Sequence, residues 1–113
     1  MTKESFGDVG PSTRNTGISF LLLSSLAGGQ KHGYALTQDI QEFAGVRLAP
    51  GTLYEALSRL EAQRLIEPVA SPDRRRPYRL TAAGAAALSE YVAAQEQFVR
   101  ISRRRLQRGW QIA

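Results

Sequence analysis

The side chains best suited to chemistry in this sequence are arginines, and they come in two runs, DRRRPYR at 73–79 and RISRRRLQR at 100–108. Clustered arginine is what a polyanionic partner requires. Arg74, Arg75 and Arg76 are consecutive like charges that repel one another and gain little in a solvated turn unless phosphates neutralise them. Other chemistries lack their parts. There is no cysteine, which removes disulfides and thiolate metal sites, and the single histidine, His32, has no second imidazole with which to share a metal. No Ser, Cys or carboxylate is placed to work with His32 as a base, so it reads as a turn or helix-cap residue. No catalytic constellation, metal site or cofactor is expected, and an enzyme is the least favoured class.

The 113 residues fit one domain with a modest core and leave no room for a second. Net charge is +5 and uneven: residues 80–99 carry two carboxylates and no cation, and residues 100–113 carry five arginines and no carboxylate. Arginines in the last turns of a helix complement its dipole, so the 100–108 run has a structural reading beside the electrostatic one. The longest apolar run, ISFLLLSSLA, is ten residues, too short to span a bilayer. It starts late and follows Glu4 and Asp8, which argues against a signal peptide. No membrane association is expected, and the location expected is the cytoplasm.

Positioning the arginines requires a scaffold, and the apolar periods supply one. Residues 1–16 mix Gly, Pro, Ser and charges and are expected to form a disordered arm. Ile18, Leu21, Leu22, Leu23 and Leu26 predict a buried first helix closed by Gly28-Gly29. HGYALTQDIQEFAG predicts a second, with Tyr34, Ile40, Phe43 and Ala44 near one face, Leu36 beside it and Gly45 as the stop. In APGTLYEALSRLEAQRLIE, Pro50 opens a third helix whose Leu53, Ala56, Leu57 and Leu60 recur at i, i+3, i+4 and i+7. Opposite them, by helical angle, lie Gly51, Thr52, Glu55, Ser58 and Arg59.

The period then turns from helical to extended. LIEPVA and PYRLT predict a hairpin around SPDRRR, with Pro72 and Asp73 making the turn and Pro68 confining its strand to an edge. Thr81 caps a long last helix in which Leu88, Tyr91, Val92, Phe98, Val99 and Ile101 approximate a seam, and Gly109 is a stop. The expected fold is mainly α with a small β-hairpin (α+β): a winged helix-turn-helix over residues 17–80 and a dimerisation helix over 81–113. In it the third helix buries one face and offers the other, with its positive N-terminal end, to DNA.

HGYAL at 32–36, GTLYEALSRLEAQRLIE at 51–67 and RRRPYRLTAAG at 74–84 occur in this order, and together they make the sequence resemble the PadR family of bacterial transcriptional regulators, in its short form with one C-terminal helix. The resemblance runs from about Ile18 to Tyr91. It implies a homodimer packed through the last helix, a Gly-Thr-Leu-Tyr helix in the major groove of a pseudo-palindromic operator, and a wing on the DNA backbone. By position it puts Thr52 and Tyr54 at DNA, Arg74, Arg75 and Arg76 at the wing tip, and Tyr34 near the backbone. From periodicity alone Tyr54 reads as a half-buried aromatic at the edge of the core. The resemblance also implies an aromatic small-molecule effector, for which Tyr91, Phe98 and Trp110 are candidates, although aromatics on such a helix also serve packing.

Two positions depart from the family pattern. Arg64 stands where the family has glycine, so a left-handed helix stop there costs about 1 kcal/mol. Glu55 stands where the family often has proline or a basic residue, so base preference does not carry over. The expected function is sequence-specific repression. The alternative is a winged-helix module for protein association, which would not need arginine at the wing tip.

Overall fold

The computed structural model describes residues 11–72 and 74–110, with side chains from residue 17 onward. Four helices and one hairpin follow in the order α1 (Pro11–Ala27), α2 (Gly33–Ala44), α3 (Pro50–Ala62), β1 (Ile66–Pro68), β2 (Tyr78–Leu80) and α4 (Ala82–Gly109). The chain is a winged helix-turn-helix with a long C-terminal helix. Residues 1–10 of the expected arm, Asp73 of the expected turn and residues 111–113 of the last segment lie outside the described residues. Residues 11–16 are helical, so α1 starts at Pro11 rather than at Gly17; a proline costs no hydrogen bond in a first turn.

The core joins Ile18, Leu22, Leu23 and Leu26 of α1 to Leu36 and Ile40 of α2, Leu53, Ala56, Leu57 and Leu60 of α3, and Ile66 of β1. Full burial of one such side chain is worth roughly 1.5–3 kcal/mol. All four periodic positions of α3 are buried, as their spacing predicts. In α2 the buried face is Gly33, Leu36 and Ile40. Tyr34 and Phe43 are exposed at 68% and 50%, and Ala44 is exposed too. Tyr34 lies about half a turn from Leu36, and Phe43 and Ala44 sit in the last turn. Ser25, a buried polar residue of α1, donates to Asp39 Oδ2 at 2.6 Å.

The helix ends follow their local chemistry. His32 caps α2, its Nδ1 accepting from the Ala35 N–H, and Gly45 closes the helix at φ 69°. At the end of α3 the Leu65 N–H donates to Leu60 O and the Arg64 N–H to Glu61 O, a Schellman pair. That geometry needs a left-handed residue, and Arg64 adopts it at φ 64°. The cost expected at this non-glycine stop is therefore present.

The strands are three residues each, shorter than the extended segments suggest, and pair antiparallel as Ile66 with Leu80, Glu67 with Arg79 and Pro68 with Tyr78. Glu67 and Arg79 form an ion pair across the hairpin at 2.6 Å. Lys31 bridges the far side of β2, exchanging both backbone bonds with Tyr78. β2 is thus flanked on both sides, and Pro68 sits in the outer strand, where a missing N–H does least harm.

Thr81 starts α4 by accepting from the Gly84 N–H at 3.0 Å and donating to Arg64 O at 2.8 Å. A Cβ on Gly84 would run into the backbone oxygen of Leu65, so α4 crosses the end of α3 where only glycine fits. Farther along, Leu88 packs on the core and Tyr91 stacks on Phe20 of α1 with ring centroids 3.9 Å apart. Val92, Phe98, Val99 and Leu106 are exposed. Leu88, Val92, Gln95, Val99, Ser102 and Leu106 recur with the alternating four- and three-residue spacing of a coiled-coil seam. Among the described residues no helix is long and apolar enough to cross a membrane.

Candidate nucleic-acid interface

The wing, the start of α2 and the first turns of α3 meet at a cleft of about 550 Å³ lined by His32, Gly33, Tyr34, Tyr54, Arg74, Arg75, Arg76 and Tyr78. Three elements far apart in sequence thus deliver three guanidinium groups and three phenols to one depression. All three arginines are exposed. Arg75 reaches back to α2, with a guanidinium nitrogen 3.4 Å from His32 Nε2. Among the described residues that line the cleft the charged ones are the three arginines, so its lining is basic.

Tyr54 is the hinge of this arrangement. Its side chain is 55% exposed, yet its hydroxyl lies so close to the α2 backbone that a Cβ on Gly33 would approach it to 2.7 Å. The ring leans from α3 onto the first residue of α2, and the missing side chain of Gly33 is what admits it. Its hydroxyl has no partner among the described residues. The Tyr34 hydroxyl accepts from Gln38 Nε2 at 3.0 Å, one turn along α2. Tyr78 is half-buried behind them; burial raises its phenol pKa above 10.0, Glu61 adds to the rise, Arg76 opposes it and Tyr54 adds slightly.

The outer face of α3 carries Gly51, Glu55 and Ser58, all exposed, with Tyr54 beside them on the wing side. Two residues expected there sit elsewhere. Thr52 is half-buried at the rim of a second, apolar groove with Ile18, Leu21, Val46 and Leu48. Arg59 turns toward α1 into a notch with Ser19, Phe20 and Leu23, where its Nη2 is buried without an acceptor among the described residues. It neighbours Leu60 at the border of the buried face, and a long aliphatic stem lets arginine lie along apolar surface. His32, Gly33 and Tyr78 were not singled out as site residues from the sequence. The signal for Tyr78 was available, because strand alternation puts it on the half-buried side with Leu80.

On α4 an open groove of about 650 Å³ runs along Tyr91, Val92, Gln95, Val99 and Arg103. Of the aromatic candidates, Tyr91 lines this groove, whereas Phe98 and Trp110 are exposed away from it. Tyr91 and Leu88 also contact their own chain's α1 and core, so part of the expected seam is already used internally.

Comparison with known proteins identifies the family and the fold. Residues 22–90 match the family described as Transcriptional regulator PadR-like family. Transcriptional regulator Rv3488 of Mycobacterium tuberculosis is 43% identical over 82 residues, covering 70% of this chain and 76% of that protein. A 37.1 kDa protein of transposon TN4556 from Streptomyces fradiae is 46% identical over 71 residues, 63% of this chain but 21% of that protein, so the chain spans about a fifth of that relative's length. A PadR-like transcription factor from Bacteroides fragilis superposes with a TM-score of 0.72 at 25% identity, over 82% of this chain and 93% of that one. A PadR family regulator from Clostridium difficile R20291 gives 0.72 at 26% identity, over 79% and 97%.

Proposed function

Because the chain belongs to the PadR-like family of transcriptional regulators, we propose that it is a repressor that binds a pseudo-palindromic operator as a homodimer and is released by a small aromatic effector. The observation that carries the DNA-binding reading is the joining of Arg74, Arg75 and Arg76 with Tyr34 and Tyr54 in one cleft beside the exposed face of α3. Gly51, Glu55 and Ser58 on that face address the major groove, the cleft takes backbone phosphate, and Thr52 stands at the helix start, where the N-terminal dipole favours anions. Arg59, tucked against α1, plays no direct part in this reading.

The seam of α4 supports dimerisation, since Val92, Val99 and Leu106 otherwise leave an apolar stripe in water. The groove beside it, with Tyr91 in its wall, is where a flat aromatic effector would bear on the subunit contact. A chromosome-bound repressor of this kind acts in the cytoplasm. The test is binding to the duplex upstream of the protein's own coding sequence over a series of salt concentrations. Each phosphate neutralised adds about 0.9 to the log-log slope, so replacing Arg74, Arg75 and Arg76 with alanine should lower the slope by several units per dimer. An unchanged slope, or equal binding to operator and random DNA by the wild-type protein, would count against the reading and leave a protein-association module in its place.

A further inference from the structure

We infer that the notch between α1 and the end of α3 binds a small monocarboxylate, gripped by the guanidinium of Arg59. The inference stands apart from the DNA-binding reading, which gives Arg59 no direct part. It starts from a charge without a partner. Arg59 Nη2 is buried and meets no acceptor among the described residues. A guanidinium is a donor through every one of its N–H groups and keeps its charge in proteins, so no change of tautomer or protonation supplies what is missing. A buried cationic donor left without an acceptor is costly, and a native fold that keeps one calls for something that binds it.

The surroundings decide which acceptor fits. The notch, of about 220 Å³, is lined by Ser19, Phe20 and Leu23 of α1 and by Arg59, Gln63 and Leu65 at and just beyond the end of α3. Arg59 is the charged residue among them, so one negative charge is matched there and a dianion such as phosphate is not. A carboxylate can meet the edge of a guanidinium with two parallel hydrogen bonds. Phe20, Leu23 and Leu65 give its tail an apolar wall. Pockets for drug-sized molecules run to roughly 300–1,000 Å³, so the tail is short. Nη2 itself is covered, and the exposed side chain of Gln63 at the rim is the part free to yield as an oxygen enters. A carboxylate held there ties the end of α3 to α1 where α4 departs, since Leu65 O accepts the Thr81 N–H and Phe20 stacks on Tyr91 of α4. The site is separate from the groove along α4 and takes a different class of ligand.

Thermal melting of the full chain in sodium propionate, against sodium chloride at equal ionic strength, tests the site. A ligand of so few atoms binds at about millimolar strength, so tens of millimolar propionate should raise the wild-type melting temperature by a few degrees. Arg59→Met keeps the long apolar stem and drops the charge. Because an apolar side chain of similar length removes the unsatisfied donor, the variant should melt at or above wild type in chloride and gain nothing further in propionate. The methyl NMR signals of Leu23 should move with propionate in the wild type and stay in place in the variant. An Arg59→Met protein that melts below wild type in chloride would mean that the arginine is already satisfied by its own chain. A wild type indifferent to propionate, or an equal gain in both proteins through the exposed arginine runs, would also overturn the site. Operator binding by the wild type is measured separately, and none of these outcomes alters it.

Discussion

Gly33→Ala separates fold from function at the cleft. An alanine Cβ there would lie 2.7 Å from the Tyr54 hydroxyl oxygen and 3.3 Å from Cζ, with Leu53 Cδ2 at an ordinary 3.5 Å. The crowded atoms are the far end of an exposed side chain, so the ring can swing away. Gly33 is the first residue of α2 and has no positive φ, so alanine is also the better helix former there, by up to about 0.5–1 kcal/mol. Stability should therefore change by less than about 1 kcal/mol. Binding should not escape so lightly. A hydroxyl hydrogen bond to a charged oxygen is worth about 1.5–3 kcal/mol, and displacing Tyr54 from the cleft should cost about tenfold to a hundredfold in affinity per half-site. Thermal melting and fluorescence anisotropy with labelled operator and random duplex read the two effects separately. The affinity loss should be equal on both duplexes, because phosphate contacts carry no sequence information. It should match that of Tyr54→Phe, and the double variant should be no worse than either, since both remove one interaction. Wild-type affinity in Gly33→Ala, or a loss confined to particular bases, would refute the role given to Tyr54.

Three further expectations follow from the same geometry. Arg64→Gly should raise the melting temperature by a few degrees, relieving a left-handed arginine at about 1 kcal/mol against some loss of unfolded-state order, with DNA affinity unchanged; no gain would mean that the arginine side chain makes a compensating contact. Glu55→Ala, on the exposed face of α3, should relax preference at one base pair per half-site by about 1–3 kcal/mol at a constant salt slope, as expected of a carboxylate reading the cytosine amine. Uniformly tighter binding to all sequences would instead show simple repulsion of phosphate. Val99→Glu places a charge in the α4 seam and should give a monomer in sedimentation at micromolar concentration with helix content intact; a persistent dimer would move the interface elsewhere.

The scaffold of this site was far more legible than its contacts. Leu53, Ala56, Leu57 and Leu60 declare a buried helical face because four apolar residues at one angle have no other use. Tyr34 misleads for the converse reason. An aromatic grouped with Ile40 on one helical face stands exposed, at the edge of the cleft that the wing closes. Arg59 misleads because a position at the border of the wheel is settled by where a long stem can lie, which helical angle does not specify. The Lys31 bridge to Tyr78 is one residue long and leaves no alternation to read. The approach of Arg75 to His32 spans 43 positions, beyond any local pattern, and depends on the wing folding back over α2.

What makes the cleft consequential is the joint that ties it to α4. Thr81 donates its hydroxyl to Arg64 O and its N–H to Leu65 O, and Gly84 rests directly on that same Leu65 carbonyl. The end of α3, the start of β1 and the start of α4 are thus fastened through two consecutive residues, with no flexible linker between them. A helix joined so tightly cannot rotate in a subunit contact without carrying α3 and the wing along. In the proposed dimer, therefore, packing of the two α4 helices sets the distance and angle between the two copies of α3. A pair spaced for successive major grooves must present them about 34 Å apart, one turn of DNA. Any ligand that shifts the α4 contact changes that spacing directly, with no need to touch a residue of the DNA-facing surface.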